Sequence, residues 1–165
     1  MIITLSWPNP SSINAVHDLK RMEDGNHQVS LADYSANLRT ITHALAKTGA
    51  ALIWCSTTPV PDVPMEEMSP PRLAADVPQF NAAAFEAVNA SIAVGGVAIH
   101  DLYGYTLPEL NTVQREKNVH FSDEGSHFLA KSVDCIASMY SRIVSDVRTP
   151  QPMTCGTPNL QIPNY

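Results

Sequence analysis

The stretch Asn118-Val119-His120-Phe121-Ser122-Asp123-Glu124-Gly125 sets an imidazole two residues ahead of a helix start. Ser122 is a helix-capping residue type, and Asp123 and Glu124 suit the positive end of a helix. A histidine on a loop with a rigid helix behind it is placed as general bases often are. A base needs a hydroxyl to activate and donors that receive the developing oxyanion. Ser6 follows an apolar run, where a strand-end nucleophile belongs, although it reads first as a strand-end serine satisfied by backbone. Asn14 can donate from its side-chain amide or cap the following turn. His120, Asn14 and Ser6 are therefore the candidate catalytic residues, and acyl transfer is the candidate chemistry.

The remaining polar residues read more plainly. Ser11 and Ser12 are loop formers between Pro10 and Ile13, and Ser56 belongs to a Ser-Thr-Thr turn. His17 and Asp18 are adjacent and rarely face each other, so Asp18 reads as a turn or cap residue. His127 falls in the first turns of the last helix and reads as structural. Glu116 lies close enough in sequence to reach His120. His17, His100, His120 and His127 show no ligand spacing, and no metal or cofactor is expected.

Composition narrows the function classes. The chain has 165 residues, enough for one domain with a sizeable core. Apolar residues make up 44% and charged residues 16%, which is a globular and not a disordered composition. The net charge is −6 without any basic cluster, so nucleic acid is not an expected partner. No run of about 18 apolar residues is present, and no membrane span is expected. The first residues lack the basic and long apolar regions of a signal peptide. Three widely spaced cysteines without a Cys-x-x-Cys pair argue against structural zinc; Cys55 and Cys135 read as small core residues.

The elements that must position these residues follow from periodicity. Met1 to Ser6 is a short β-rich run, and Ile13 to Asp18 a loop. Ser30 caps a helix in which Leu31, Tyr34, Leu38, Ile41 and Leu45 share a face, with Gly49 beyond its end. Ala50 to Cys55 is a continuous apolar run that suits a parallel strand covered on both faces. Residues 60 to 77 form a Pro-rich irregular loop. Pro78 to Ala93 reads as a helix, Val97 to Leu102 as a strand and Leu107 to Gln114 as a short helix. Asp123 to Val147 is the last helix, with Phe128, Leu129, Val133, Ile136, Tyr140, Ile143 and Val147 inward. Alternating strand and helix predicts an α/β domain over residues 1–148 with a three-stranded parallel sheet and helices on both faces. Residues 149–165 read as a Pro-rich flexible tail.

Four segments, in order, resemble the SGNH (GDSL-type) hydrolases. Ile13-Asn14-Ala15-Val16-His17-Asp18 is similar to one branch's Asn motif, often Asn-x-Gly-x-His-Asp. Leu52 to Pro61 resembles the strand and Thr-Thr-Pro turn that follow, and His100-Asp101-Leu102-Tyr103 the end of the last strand. Asn118 to Ser122, followed by Glu124-Gly125, resembles the final Asp-x-x-His motif. The resemblance implies a three-layer α/β/α sandwich of flavodoxin-like type. It also implies hydrolysis of a carboxylic ester, such as an acetyl ester on a sugar or another small polar molecule. His120 would be the base and Asn14 an oxyanion donor. The departures are specific. No Gly-Asp-Ser nucleophile motif occurs, and the family's Gly motif is not found. Asn14 is one residue out of register, and Lys117 stands where the triad Asp belongs. A cation there disfavours the imidazolium formed during acyl transfer. The chain therefore reads as an SGNH-like domain incomplete or degenerate at its N-terminus. The alternative is a catalytically inactive relic that binds a ligand or a partner.

Overall fold

A computed structural model describes residues 2–5, 11–13, 16–90 and 97–145, with side chains from 16 to 90 and from 97 to 139. The elements in chain order are β1 (Ile2–Leu5), β2 (Ser11–Ile13), α1 (Leu31–Ala46), β3 (Ala51–Cys55) and α2 (Asp76–Asn89). After these come β4 (Val97–His100), α3 (Leu102–Thr106), α4 (Leu110–Val113) and α5 (Asp123–Ser145). The predicted tail, residues 149–165, lies outside the described residues.

α1 begins where the capping pattern placed it. The Ser30 hydroxyl accepts from the Asp33 N–H at 3.1 Å, and Gly49, at φ 74°, follows the last turn. Tyr34, Leu38 and Thr42 form its buried stripe, while Leu31 is exposed. α2 starts two residues before its predicted first residue and buries Val77, Phe80, Ala84, Ala87 and Val88 against α1. These side chains supply most of one apolar cluster.

The sheet has the order β2-β1-β3-β4 among the described residues. β3 and β4 run parallel, joined through α2 in a crossover. β1 is antiparallel to both β2 and β3. The sheet is thus mixed, which corrects the expectation of an all-parallel one. Residues 6–10 are too short a connection for a parallel crossover, so β1 and β2 can pair only as a hairpin. Ser11 and Ser12 belong to that strand and are not loop formers.

The alternation of β3 divides the interior. Trp54 points into the cluster built by α1 and α2. Ile53 and Cys55 point the opposite way, against Leu102, Tyr105 and the α5 residues Leu129, Val133 and Ile136. Helices thus cover β3 on both faces, and all of Leu52 to Cys55 is buried. Burial pushes the Cys55 thiol up to about 11. Cys135, half-buried on α5, is disulfide-bonded, which corrects its reading as a plain core residue. Among the described residues no helix is long and apolar enough to cross a membrane.

Candidate functional site

The chain leaves the sheet at the C-terminal ends of β3 and β4, the rim where α/β proteins place ligands. Four side chains organise the exit from β3. The buried Ser56 hydroxyl donates to Asp101 Oδ1 at 2.9 Å and accepts from the Tyr103 N–H at 2.7 Å. Asp101 also caps α3 through the Gly104 N–H at 3.0 Å. Ser56 therefore ties the two strand ends together and is not a free nucleophile. The Thr57 N–H donates to Asn81 Oδ1 at 2.7 Å, and Asn81 Nδ2 donates back to the Thr57 carbonyl at 3.0 Å. Both backbone groups of Thr57 are thus satisfied away from any sheet, as burial demands. Gln114 Nε2 donates to the carbonyls of Pro59 and Val119 at 3.1 and 3.3 Å. Gln114 Oε1 is buried with no hydrogen-bond partner.

The His120 loop docks on this exit through Gln114. Gln114 and Phe121 form an antiparallel bridge, and Arg115 N–H donates to the His120 carbonyl at 2.9 Å. Lys117 turns the loop at φ 52°, a region few non-glycine residues occupy. Behind the loop, Ser122 caps α5 by accepting from the Gly125 N–H at 3.0 Å. Gly125 has no room for a side chain: a Cβ there would run into the Val113 carbonyl. That close approach of α4 to α5 explains the Glu124-Gly125 pair that follows the cap.

His120 itself is exposed, and its imidazole has no hydrogen-bond partner among the described residues. Its own N–H is held by Asn118 Oδ1 at 3.0 Å. Lys117 pairs with Glu67 of the long loop at 2.7 Å, and Glu116 makes no ion pair with His120. Ser6 and Asn14 lie outside the described residues. Of the three candidate catalytic residues, then, only His120 has a described position. His127 Nδ1 bonds the Asp123 carbonyl at 2.8 Å, a contact within the helix that suits its structural reading.

The turn Val16–Leu19 approaches the same exit. Val16 and Leu19 are buried, and Arg72 Nε holds the Val16 carbonyl at 2.9 Å. His17 is exposed, and Asp18 sits half-buried between them. Burial raises the Asp18 carboxyl above the usual range, with His17 partly opposing the shift. The neighbouring Tyr34 is pushed up to about 12, chiefly by burial, with Thr57 opposing and the Asp18 charge adding. Asp18 makes no side-chain hydrogen bond among the described residues. The turn is closed by backbone, from Lys20 N–H to the His17 carbonyl at 3.2 Å. Asp18 lies inside this turn, in keeping with its reading as a turn residue.

Two further constellations went unread in the sequence. His100 Nε2 and Ser132 Oγ, both buried, lie 2.7 Å apart and pin β4 to α5. Burial lowers the His100 imidazole, with Asp101 partly opposing. Asp76, at the start of α2, takes both arms of Arg21 at 2.9 and 2.7 Å. His27 Nε2 lies 3.0 Å from the same carboxylate, off the line of a hydrogen bond. The available signal was the placement of Asp76 and Asn81 on the apolar face of α2. Among the described residues no three His, Cys, Asp or Glu side chains gather closely enough to hold a metal ion.

Comparisons with protein-family models, with curated proteins and with solved structures give no match.

Proposed function

We propose that this chain is an SGNH (GDSL-type) hydrolase domain of three-layer α/β/α type acting on carboxylic esters, acetylated carbohydrates among them. The observation that carries the reading is the meeting of its four family-like segments. Val16–Asp18, Ser56–Pro61, His100–Tyr103 and the His120 loop share one rim of β3 and β4, linked by Ser56–Asp101 and Gln114–Pro59. The parallel β3–β4 pair with its crossover helix suits that fold, while antiparallel β1 and β2 depart from it.

In this reading Ser6 Oγ attacks the ester carbonyl while His120 takes its proton. Asn14 donates to the oxyanion, and the imidazolium returns the proton to the leaving alcohol. Water then repeats the sequence on the acyl-serine. A second reading, a ligand-binding relic without catalysis, is favoured by one observation: the residue in the triad-acid position is Lys117, engaged with Glu67.

Hydrolysis of an activated acetyl ester by the purified chain, beside His120→Ala and Ser6→Ala, separates the two. Turnover lost in both variants supports the hydrolase. Lys117→Asp, which restores a carboxylate in a backbone region that Asp tolerates, is then expected to raise the rate. No turnover, or turnover unchanged in both variants, leaves the relic.

A further inference from the structure

We propose that the buried His100–Ser132 pair is an acid-operated clasp: a charge placed on His100 frees α5 from the sheet by local opening, ahead of unfolding elsewhere. The pair joins the last residue of β4 to the middle of α5, with Nε2 and Oγ 2.7 Å apart and both residues 8% exposed. Around it the apolar packing is thin. Among the described residues, the cluster on the α5 face of the sheet has three buried members, Ile53, Cys55 and Leu102. Its α5 members Leu129, Val133, Ile136 and Ala137 are only partly buried. The cluster built by α1 and α2 has twelve buried members among the described residues. Segments with few buried apolar contacts open first. Because α5 begins directly behind the His120 loop, the clasp also bears on the candidate site, and only that consequence rests on the hydrolase reading.

Neutral His100 shares one proton with a hydroxyl that can give or take it. Charged, the ring keeps its bond to Ser132 but sets a cation inside an apolar interface. The groups that face it do not offset that cost. Asp101, next in the chain, favours the charged ring, but burial outweighs it. Its Oδ1 is already engaged by Ser56 and Gly104. From α3 comes Tyr105, its ring 6.4 Å from the imidazole. From β3 comes Cys55, level with His100 in the strand register, whose thiol burial keeps neutral. On α5 the charged residues nearest Ser132 in sequence, Lys131 and Asp134, are exposed. Opening of α5 returns the ring to water, where it takes a proton more readily. Opening therefore becomes easier as pH falls below the ordinary 6.5, and the effect levels off once the ring is charged in both states.

The test is amide hydrogen exchange of the full chain, read by mass spectrometry on peptides from α5 and from α1. It is run at about pH 7 and about pH 5 and corrected for the intrinsic pH dependence of exchange. The expected result is a loss of protection in α5 at the lower pH, with protection of α1 kept. His100→Gln, which keeps a hydrogen-bonding side chain that cannot be charged, is expected to leave α5 equally protected at both. No loss in α5, an equal loss in α1 and α5, or a loss that persists in His100→Gln overturns the proposal. NMR titration of the His100 ring in the parent chain needs no variant, and a midpoint at or above 6.5 overturns it as well. None of these readouts involves turnover, so the clasp stands or falls independently of the hydrolase reading.

Discussion

Asp76 and Asp18 are two carboxylates withdrawn from water, and the structure treats them in opposite ways. Asp76 opens α2 and is 5% exposed. Burial alone would raise its carboxyl, but the hydrogen bonds of Arg21 and the charges of Arg21 and His27 outweigh that and hold it below the usual range. Asp18 is less deeply buried, yet its carboxyl is raised, because burial outweighs the opposing charges of His17 and the N-terminal amine. Burial by itself does not decide the state of an acid; partners do. The Asp76 region joins segments 55 residues apart and has its partners built in. The Asp18 region, among the described residues, has no hydrogen-bonded partner of that kind.

The largest break in this contrast is Asp76→Ala. It leaves Arg21 and His27 without their acceptor, and about 3 kcal/mol of stability is expected to be lost in urea unfolding. That is the lower end for a buried pair, because Arg21 keeps 21% of its side chain in water. Asp18→Asn is expected to shift stability in the opposite direction and by less, measured by the same urea midpoint.

Acid titration sharpens the comparison further. The Asp76 carboxyl is lower folded than unfolded, so its stabilisation is present above the ordinary value of 3.8 and is lost as pH falls through the folded one. The Asp18 carboxyl is higher folded than unfolded. Between the two values the folded chain holds a proton the unfolded chain has lost, so stability rises there as pH falls. Asp76→Asn should therefore flatten the acid limb of melting temperature against pH, and Asp18→Asn should steepen it. His100 contributes separately. Its imidazole is lower folded than unfolded, so stability declines as pH falls below 6.5. His100→Gln is expected to remove that part of the curve, leaving the carboxylates to be read alone.

The smallest effect belongs to a third acid, Glu67, whose partner Lys117 stands in water. Glu67→Gln is expected to leave the melting temperature unchanged within error, since exposed pairs contribute little. A clear loss would mean that this pair holds the His120 loop against the long loop.

Elements with a local cause were legible. Ser30 announced α1, Ser122 announced α5, and the unbroken apolar run of Ala51–Cys55 announced a strand buried on both faces. The burial of Asp18, the engagement of Ser56 and the clamp of Asn81 on Thr57 were not legible. Each depends on what lies across a gap of 16 to 47 residues, and no residue's own neighbours specify that. Strand direction was missed for β1 for the same reason: a four-residue apolar strand reads alike either way, and its partners orient it.

Sequence alone determined the alternation of helix and strand, the helix caps and an exposed histidine before the last helix, because these follow from side-chain periodicity and from backbone groups at helix ends. The family-like motifs were also visible there as four separate strings. Only the tertiary structure decided that the ends of β3 and β4 and the His120 loop meet on one rim, that Asp76 is held by two partners, and that Asp18 receives no hydrogen bond among the described residues. Desolvation and hydrogen-bond compensation are properties of a site assembled from distant segments, so they come into existence only when the chain folds.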